Sequence, residues 1–269
     1  TPEKRAQDHM HELFFQTYAE WTQEALQLDL NQFPNRYPTS GSSEAIRESI
    51  AFHASQQRAE GRIPQIHIFK GEYEGYKAYA SAHNVEVVEH DRDDYTETLK
   101  EKMQPGDRFY LSQPSGIDGN TWEGYEDFLT TLETAPDLQT DDGPKSKLML
   151  DLAYINTTKD TPKIRTKSDA INSVFVSMSK AFPGTYYNRV GGMISKEAFP
   201  GLFGNKWFKN LDALLLGYNL MKNFPLGEIP KKLHSLQTET IEALKATFGE
   251  DLVGSDVAFI ATQPIPENP

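Results

Sequence analysis

Short apolar or β-branched runs alternate with amphipathic stretches through the middle of the chain. The runs with the composition of strands lie at 65–69, 85–89, 108–112, 148–152, 174–178 and 190–194. The stretches between them with the spacing of helices lie at 43–60, 74–84, 94–103 and 122–133. Because strands that alternate with helices usually join a sheet covered by those helices, this pattern predicts an α/β fold with a mainly parallel sheet.

The two ends of the chain have a different pattern. Apolar residues recur at steps of three and four over 6–28, which predicts an amphipathic helix. Beyond Gly201 the spacing predicts two longer helices, at 205–222 and 230–248, and then a short strand at 257–261. This change of pattern predicts a domain boundary close to Gly201.

Composition narrows the class of protein. The 269 residues carry a formal net charge of −12 with scattered basic residues, so a nucleic-acid partner is not expected. The chain has no cysteine, which excludes disulfides and thiolate metal ligands, and no metal site is expected. The longest apolar stretch, 211–221, is shorter than the roughly 20 residues of a membrane span. A cytoplasmic protein without a membrane partner is the expectation.

The segment Ser177-Met178-Ser179-Lys180 is the most informative for chemistry, because it follows the apolar run 174–176. A lysine just past a buried strand can lose water, which favours a neutral, nucleophilic amine suited to a Schiff base. The alternative is a solvated surface lysine.

Asp151 and Tyr154 follow another apolar run, 148–150. A carboxylate carried into the interior at a strand end needs a partner, and a protonated ring nitrogen is one such partner. Tyr154 offers a phenolic hydroxyl three residues further on. The alternative is an aspartate that caps a turn.

A small-residue loop, Ser40-Gly41-Ser42-Ser43, leads into the first helix of the middle region. Free backbone N–H groups at a helix N-terminus favour a phosphate, and Arg189 could neutralise its charge. An ordinary N-cap and a surface ion pair are the alternatives. Tyr73, after the run 65–69, could stack on a planar ring or belong to the core.

These features occur in a fixed order along the chain, and over about 37–195 the sequence resembles the class I/II aminotransferases of pyridoxal 5′-phosphate (PLP) fold type I. The resemblance implies that Lys180 forms the Schiff base with PLP, that Asp151 pairs with the pyridine nitrogen and that Tyr154 bonds the 3′-oxygen. Tyr73 would then stack on the ring. The implied phosphate ligands are Ser42, Ser43, Ser177 and Arg189.

The resemblance also implies an aspartate aminotransferase-like fold. Residues 30–200 would form a three-layer PLP-binding domain with a seven-stranded sheet. Residues 1–29 and 201–269 would supply an N-terminal helix and a reduced small α+β domain. A homodimer is implied as well.

The sequence departs from the family at the substrate end. Gly116 occupies the position expected for an asparagine that bonds the cofactor, with Ser115 and Asn120 as candidate substitutes. No arginine follows Arg189. A substrate carboxylate would therefore be bound by another group, such as Arg36 or a residue of a partner subunit, or the substrate is not a standard α-amino acid.

The resulting hypothesis is a transaminase of amino acids or related small-molecule amines. The alternatives are a PLP-dependent decarboxylase, lyase or oxidase, and a non-catalytic PLP-binding module.

Overall fold

A central sheet organises the structure. The structure, a computed structural model, describes residues 9–104, 106–135, 139–140, 143–144, 147–182, 184–249 and 251–263. Its strands in chain order are β1 (Asn35–Thr39), β2 (Gln65–Phe69), β3 (Glu86–His90), β4 (Arg108–Ser112), β5 (Gln139–Thr140), β6 (Gly143–Pro144), β7 (Lys147–Asp151), β8 (Ile171–Ser177), β9 (Gly191–Ser195), β10 (Val253–Gly254) and β11 (Ala261–Thr262). Seven of them form one sheet in the order β1-β9-β8-β7-β4-β2-β3. β9 runs antiparallel to both its neighbours and the other neighbouring pairs are parallel, which confirms the predicted mainly parallel sheet.

The helices follow the predicted alternation. They are α1 (Met10–Trp21), α2 (Gln23–Leu26), α3 (Ser42–Ala59), α4 (Glu74–Ala82), α5 (Tyr95–Lys102), α6 (Tyr125–Thr134), α7 (Leu211–Asn223) and α8 (Glu228–Phe248). Short 3-10 turns lie at Leu30–Gln32, Ile155–Thr157, Thr185–Asn188 and Pro200–Lys206. No described helix is both long enough and apolar enough to cross a membrane.

Two of the predicted helices differ from the observed ones, one at its start and one by a break within it. α7 begins at Leu211 because the Asn210 side chain accepts a hydrogen bond from Ala213 N at 3.0 Å and caps it. The chain before this cap forms a 3-10 turn instead of the predicted helical start. The predicted helix over 6–28 breaks at Thr22, whose hydroxyl donates to Tyr18 O, and its first three residues lie outside the described part.

Two predictions about strands were incomplete or wrong. β1 was missed because its sequence, Asn-Arg-Tyr-Pro-Thr, contains no apolar run. The strand predicted at 257–261 is wrong over most of its length, since β11 comprises only Ala261–Thr262 and Val257 makes a single bridge to Thr158.

Successive residues of the inner strands point to opposite faces of the sheet and supply two separate cores. One face buries Leu111, Leu150 and Val176 in a cluster that includes residues of α1, α6 and α7. The other face buries Tyr110, Met149 and Phe175 against residues of α3 and α4. Because both faces are covered by helices, the strands read as continuous apolar runs and the fold has three layers.

Three neighbouring parallel strands end at the same edge of the sheet. Ser112 at the end of β4 is in register with Asp151 at the end of β7, and Ser177 ends β8. Ligands in α/β sheets bind beyond the carboxyl ends of strands. This edge is therefore the place where the fold positions a site.

Candidate functional site

A cavity of about 180 Å³ opens at this edge. Its wall includes the eight residues to which the resemblance assigned a role toward PLP: Ser42, Ser43, Tyr73, Asp151, Tyr154, Ser177, Lys180 and Arg189. It also includes four residues that were not predicted as ligands: Ser112, Gly116, Ala153 and Ser179. Side chains separated by more than a hundred residues in sequence thus converge on one small polar space.

Lys180 lies at the mouth of this cavity, three residues beyond the end of β8. Its ammonium lies 3.7 Å from the centroid of the Tyr154 ring, which is within the range of a cation–π interaction. The Lys180 side chain is exposed, so its amine can be approached from solvent as well as from the cavity. Tyr154 therefore holds the amine at the boundary between the two.

Asp151 forms the floor of the cavity and is only 4% exposed. Its Oδ1 accepts a hydrogen bond from Ala153 N at 3.0 Å, and its Oδ2 accepts one from Tyr76 Oη at 3.4 Å. Burial raises the pKa of Asp151 to about 6, although the charge of Lys180 and both hydrogen bonds act in the opposite direction. A cation bound against this carboxylate would compensate for the water that it has lost.

Around Arg189 the cavity wall carries the donor groups expected of an anion cradle. α3 begins at Ser42, so its first backbone N–H groups and its dipole face the cavity. Arg189 Nη2 donates to Ser40 O at 2.9 Å and lies 3.5 Å from Ser43 Oγ, while Nη1 lies 3.5 Å from Ser179 Oγ. A guanidinium, serine hydroxyls and a helix N-terminus are the donor set that phosphate prefers.

Glycines allow this cradle to close tightly. A Cβ at Gly191 would lie 2.4 Å from Val176 O and 2.6 Å from Gly41 Cα, so only glycine lets β9 approach the loop before α3. Gly41 itself has φ +79°, a conformation that favours glycine.

Tyr73 supplies a planar wall. Its ring meets the Tyr76 ring edge-on with centroids 5.5 Å apart, and it remains 40% exposed. A Cβ at Gly75 would lie 2.1 Å from Tyr73 Cε1, so the glycine makes room for the ring to fold back over the start of α4. The Tyr76 ring and the start of α4 thus hold the Tyr73 ring beside the cavity.

A second buried acid in this region, Glu72, is hydrogen-bonded to Ser112, and the sequence did not predict this pair. The Ser112 hydroxyl donates to Glu72 Oε2 at 2.5 Å and accepts from Gly116 N at 2.6 Å. Burial raises the pKa of Glu72 to about 7, against the effects of Ser112 and Arg92. Ser112 ends a strand just as Asp151 does, and that position was the available signal.

The structure places the candidate substitutes for the family asparagine outside the cavity. A Cβ at Gly116 would lie 3.1 Å from Ser112 Oγ, which leaves little room for a side chain. Ser115 Oγ accepts a hydrogen bond from Arg92 at 2.7 Å, and Asn120 Oδ1 accepts one from Asp256 N at 2.9 Å. Ser112 is instead the polar side chain beside Gly116 in the cavity wall.

Arg36 also lies away from the cavity wall. It belongs to β1, where its Nε donates to Glu12 Oε2 at 2.7 Å and its Nη1 donates to Phe33 O at 3.1 Å. Among the described residues that line the cavity, Arg189 is the one arginine, and it lies in the anion cradle. Arg36, one of the candidates for a substrate carboxylate, is therefore not part of this cavity.

Comparisons with known proteins agree with the architecture. No family model and no curated protein sequence matches the chain. Among solved structures, the chain is similar to the histidinol-phosphate aminotransferase from Clostridium acetobutylicum, with a TM-score of 0.67 and 17% identity over 92% of this chain and 70% of that one. It is also similar to the PLP-bound C-S lyase from Staphylococcus hominis, with a TM-score of 0.71 and 13% identity over 93% of this chain and 65% of that one.

A third similar structure is the histidinol-phosphate aminotransferase from Sinorhizobium meliloti in complex with pyridoxal-5′-phosphate. Its TM-score is 0.64 and its identity 15%, over 94% of this chain and 66% of that one. The chain thus spans about two thirds of the length of these proteins. At this level of identity the likeness concerns the fold, and the protein has the aspartate aminotransferase-like fold of the PLP fold type I enzymes.

Proposed function

We propose that this protein binds PLP and acts as a transaminase of an amino acid or a related amine. The observation that carries the proposal is the convergence, in one cavity, of an amine at Lys180, a buried carboxylate at Asp151 and the anion cradle around Arg189. Solved proteins with this fold include PLP-bound enzymes, which supports the proposal.

The described residues fit PLP at both of its charged ends. The donors around Arg189 and the N-terminus of α3 would hold the phosphate. Asp151 is buried without a cation in hydrogen-bond contact among the described residues, and the protonated pyridine nitrogen would supply that cation. Tyr73 offers its flat ring to one face of the cofactor. Ser42, Ser43 and Ser177 add hydroxyl groups to the phosphate end.

Each side chain would have a distinct task in catalysis. Bound PLP supplies an aldehyde that reacts with amines and a ring that accepts electrons from the bonds at the substrate α-carbon. The Nζ of Lys180 would take the proton from the substrate α-carbon and deliver it to the cofactor carbon that carries the aldehyde, and the Tyr154 ring keeps that nitrogen at the cavity mouth. Asp151 would hold a negative charge beside the ring nitrogen, and Tyr73 would exclude water from one ring face.

The first test of the proposal is covalent labelling. PLP is added to the protein, the mixture is reduced with borohydride, and the modified lysine is located by peptide mapping. We expect one adduct at Lys180, which disappears in Lys180→Arg and persists in Lys231→Arg, a control on α8. An adduct spread over surface lysines, or one that survives in Lys180→Arg, would overturn the proposed site.

The second test concerns the reaction type. Transamination converts the bound cofactor to pyridoxamine phosphate when an amino acid is added alone, whereas a lyase or decarboxylase returns it unchanged. A non-catalytic module would bind PLP without any spectral response to amines. Product analysis by chromatography after a single turnover distinguishes these three outcomes.

A further inference from the structure

A second, larger cavity adjoins the polar one at Lys180. It has a volume of about 600 Å³ and shares Tyr154, Ser179 and Lys180 with the polar cavity. The rest of its wall is Phe182, Gly184, Tyr186, Phe259 and Ile260. We call this space the apolar cleft. Because the two cavities meet at the amine, a molecule that reacts with Lys180 can extend into the cleft.

The floor of the apolar cleft is anchored in the core. Phe182 is 6% exposed and stacks on Trp21, with ring centroids 5.9 Å apart and an interplanar angle of 21°. The Thr185 hydroxyl lies within hydrogen-bond distance of Met178 O, at 2.7 Å, which fixes the turn that carries Tyr186. This side of the cleft is therefore held in place by its contacts with the core.

The opposite wall of the apolar cleft is also held in place, by hydrogen bonds and by packing. Gln237 Nε2 on α8 donates to Ile260 O at 2.8 Å, and Ser255 Oγ donates to the same carbonyl at 2.9 Å. A Cβ at Gly119 would lie 2.9 Å from Ile260 Cγ2, so the loop after β4 packs directly on this segment. These contacts hold Phe259 at the cleft, although 51% of its surface is exposed.

The described wall of the cleft offers an anionic group no cation other than Lys180. Among the described residues that line it, only Lys180 carries a charge. That amine is committed to the reaction in the proposed function, so a carboxylate placed in the cleft would lose water without gaining a partner. An aromatic or branched aliphatic group would instead bury apolar surface against Phe259 and Tyr186.

We infer that the substrate is an amine with an aromatic or bulky aliphatic substituent, which occupies the apolar cleft and is selected by Phe259 and Tyr186. This inference rests on the proposed function, because it assumes that the substrate amine reacts at the Lys180 end of the cavity. It goes beyond the proposed function by naming a class of substrates, from which amino acids with acidic side chains are excluded.

The main experiment follows the visible spectrum of the PLP-loaded protein during titration with amino acids. Phenylalanine and leucine should bind on the order of tenfold or more tightly than glutamate and aspartate, given the usual effect of small changes in apolar contact. Phe259→Ala should reduce this preference about tenfold. Phe248→Ala, an exposed phenylalanine at the end of α8, is the matched control and should leave it unchanged. Phe259→Leu should restore most of the preference.

A second measurement does not depend on the cofactor. Ligand-observed NMR with 3-phenylpropylamine and the protein without PLP should show saturation transfer to the phenyl ring, and Phe259→Ala should abolish it. Equal affinity for glutamate and phenylalanine, or transfer that is unchanged in Phe259→Ala, would overturn the inference. Absence of any PLP absorbance band would instead count against the proposed function, and the NMR result would still decide whether the cleft takes apolar groups.

Discussion

Ser112 at the end of β4 is paired in register with Asp151 at the end of β7. Asp151 is a buried acid in the cavity wall, and the Ser112 hydroxyl donates a hydrogen bond of 2.5 Å to a second buried acid, Glu72, behind that wall. Burial raises the pKa of Asp151 to about 6 and that of Glu72 to about 7, so both carboxyl groups change protonation near neutral pH.

In the protein without cofactor, ionisation of Asp151 should lower the free energy of unfolding as the pH rises. Its pKa is about 6 in the folded state against an ordinary value of 3.8, so the folded state binds more protons between these pH values. The stability that protonated Asp151 contributes is complete below pH ~4 and is lost as the pH rises through 6. The loss is on the order of 3 kcal/mol.

Asp151→Asn should therefore flatten this pH dependence and raise the unfolding free energy at pH 8, while weakening PLP binding. Urea unfolding at several pH values and PLP titration measure the two effects. If Asp151→Asn unfolded more easily than the natural protein at pH 8, burial would not be the cause of the raised pKa.

Ionisation of Glu72 should also lower the free energy of unfolding as the pH rises, but over a higher pH range than for Asp151. Its pKa rises from an ordinary 4.5 to about 7, so the stability contributed by the protonated form is lost as the pH passes from about 5 to above 7. Arg92, whose Nη2 lies 3.9 Å from Glu72 Oε1, limits this change. Glu72→Gln should remove the pH-dependent loss between pH 5 and 8.

The control is Glu74→Gln, two residues away and exposed, which should leave the pH profile of unfolding as it is. Infrared difference spectra provide an independent readout, because a protonated carboxyl has its own C=O band. That band should titrate near pH 7 in the natural protein and be missing in Glu72→Gln. If no carboxyl band titrated near pH 7, or if the same band persisted in Glu72→Gln, the prediction would be contradicted.

The sequence predicted those site residues whose position depends on local features. Asp151 and Lys180 each follow a buried strand, and a strand end can be recognised from an apolar run of four or five residues. Since parallel strands end at one edge, their convergence follows from the fold class alone. The anion cradle could be predicted for the same reason, because a small-residue loop before a helix is a local pattern.

The sequence could not predict contacts that depend on packing between distant segments. Glu72 lies 40 residues from Ser112 in the chain, and only the packing of the loop after β2 against the end of β4 brings them together. β1 lacks an apolar run, and its place in the sheet depends on pairing with β9, more than 150 residues later. Arg36 was expected at the site because of its charge, but its ion pair with Glu12 holds it elsewhere.

Arg189 should contribute to the affinity for PLP through the phosphate alone. Its guanidinium lies among Ser40, Ser43 and Ser179 in the anion cradle. Loss of charge-assisted hydrogen bonds to a phosphate costs about 1.5–3 kcal/mol, so Arg189→Ala should weaken PLP binding roughly ten- to a hundredfold. Arg189→Lys should have a smaller effect, because it keeps the charge and loses the forked geometry.

Pyridoxal, which lacks the phosphate, is the control ligand for this prediction. Its affinity should be the same in Arg189→Ala and in the natural protein, as measured by fluorescence titration. An equal loss of affinity for both ligands would show that Arg189 acts by holding the cavity together rather than by binding the phosphate.

Gly191 should be required for the shape of the anion cradle. A Cβ at this position would lie 2.4 Å from Val176 O and 2.6 Å from Gly41 Cα, and both obstacles are backbone atoms. Gly191→Ala must therefore shift β9 or the loop before α3, at a cost of about 1–3 kcal/mol in unfolding free energy. The same shift would move Gly41 and the first N–H groups of α3 away from Arg189, so PLP affinity should fall together with stability.

Gly204→Ala separates this effect from a general intolerance of alanine. The nearest atom to a Cβ at Gly204 is Phe208 Cδ2 at 4.0 Å, which is an ordinary contact, and this variant should match the natural protein in both urea unfolding and PLP titration. The informative case is a Gly191→Ala protein that is destabilised but binds PLP normally. That outcome would mean that the cradle is assembled by the phosphate itself, because a preformed cradle cannot tolerate the displacement that the added methyl group requires.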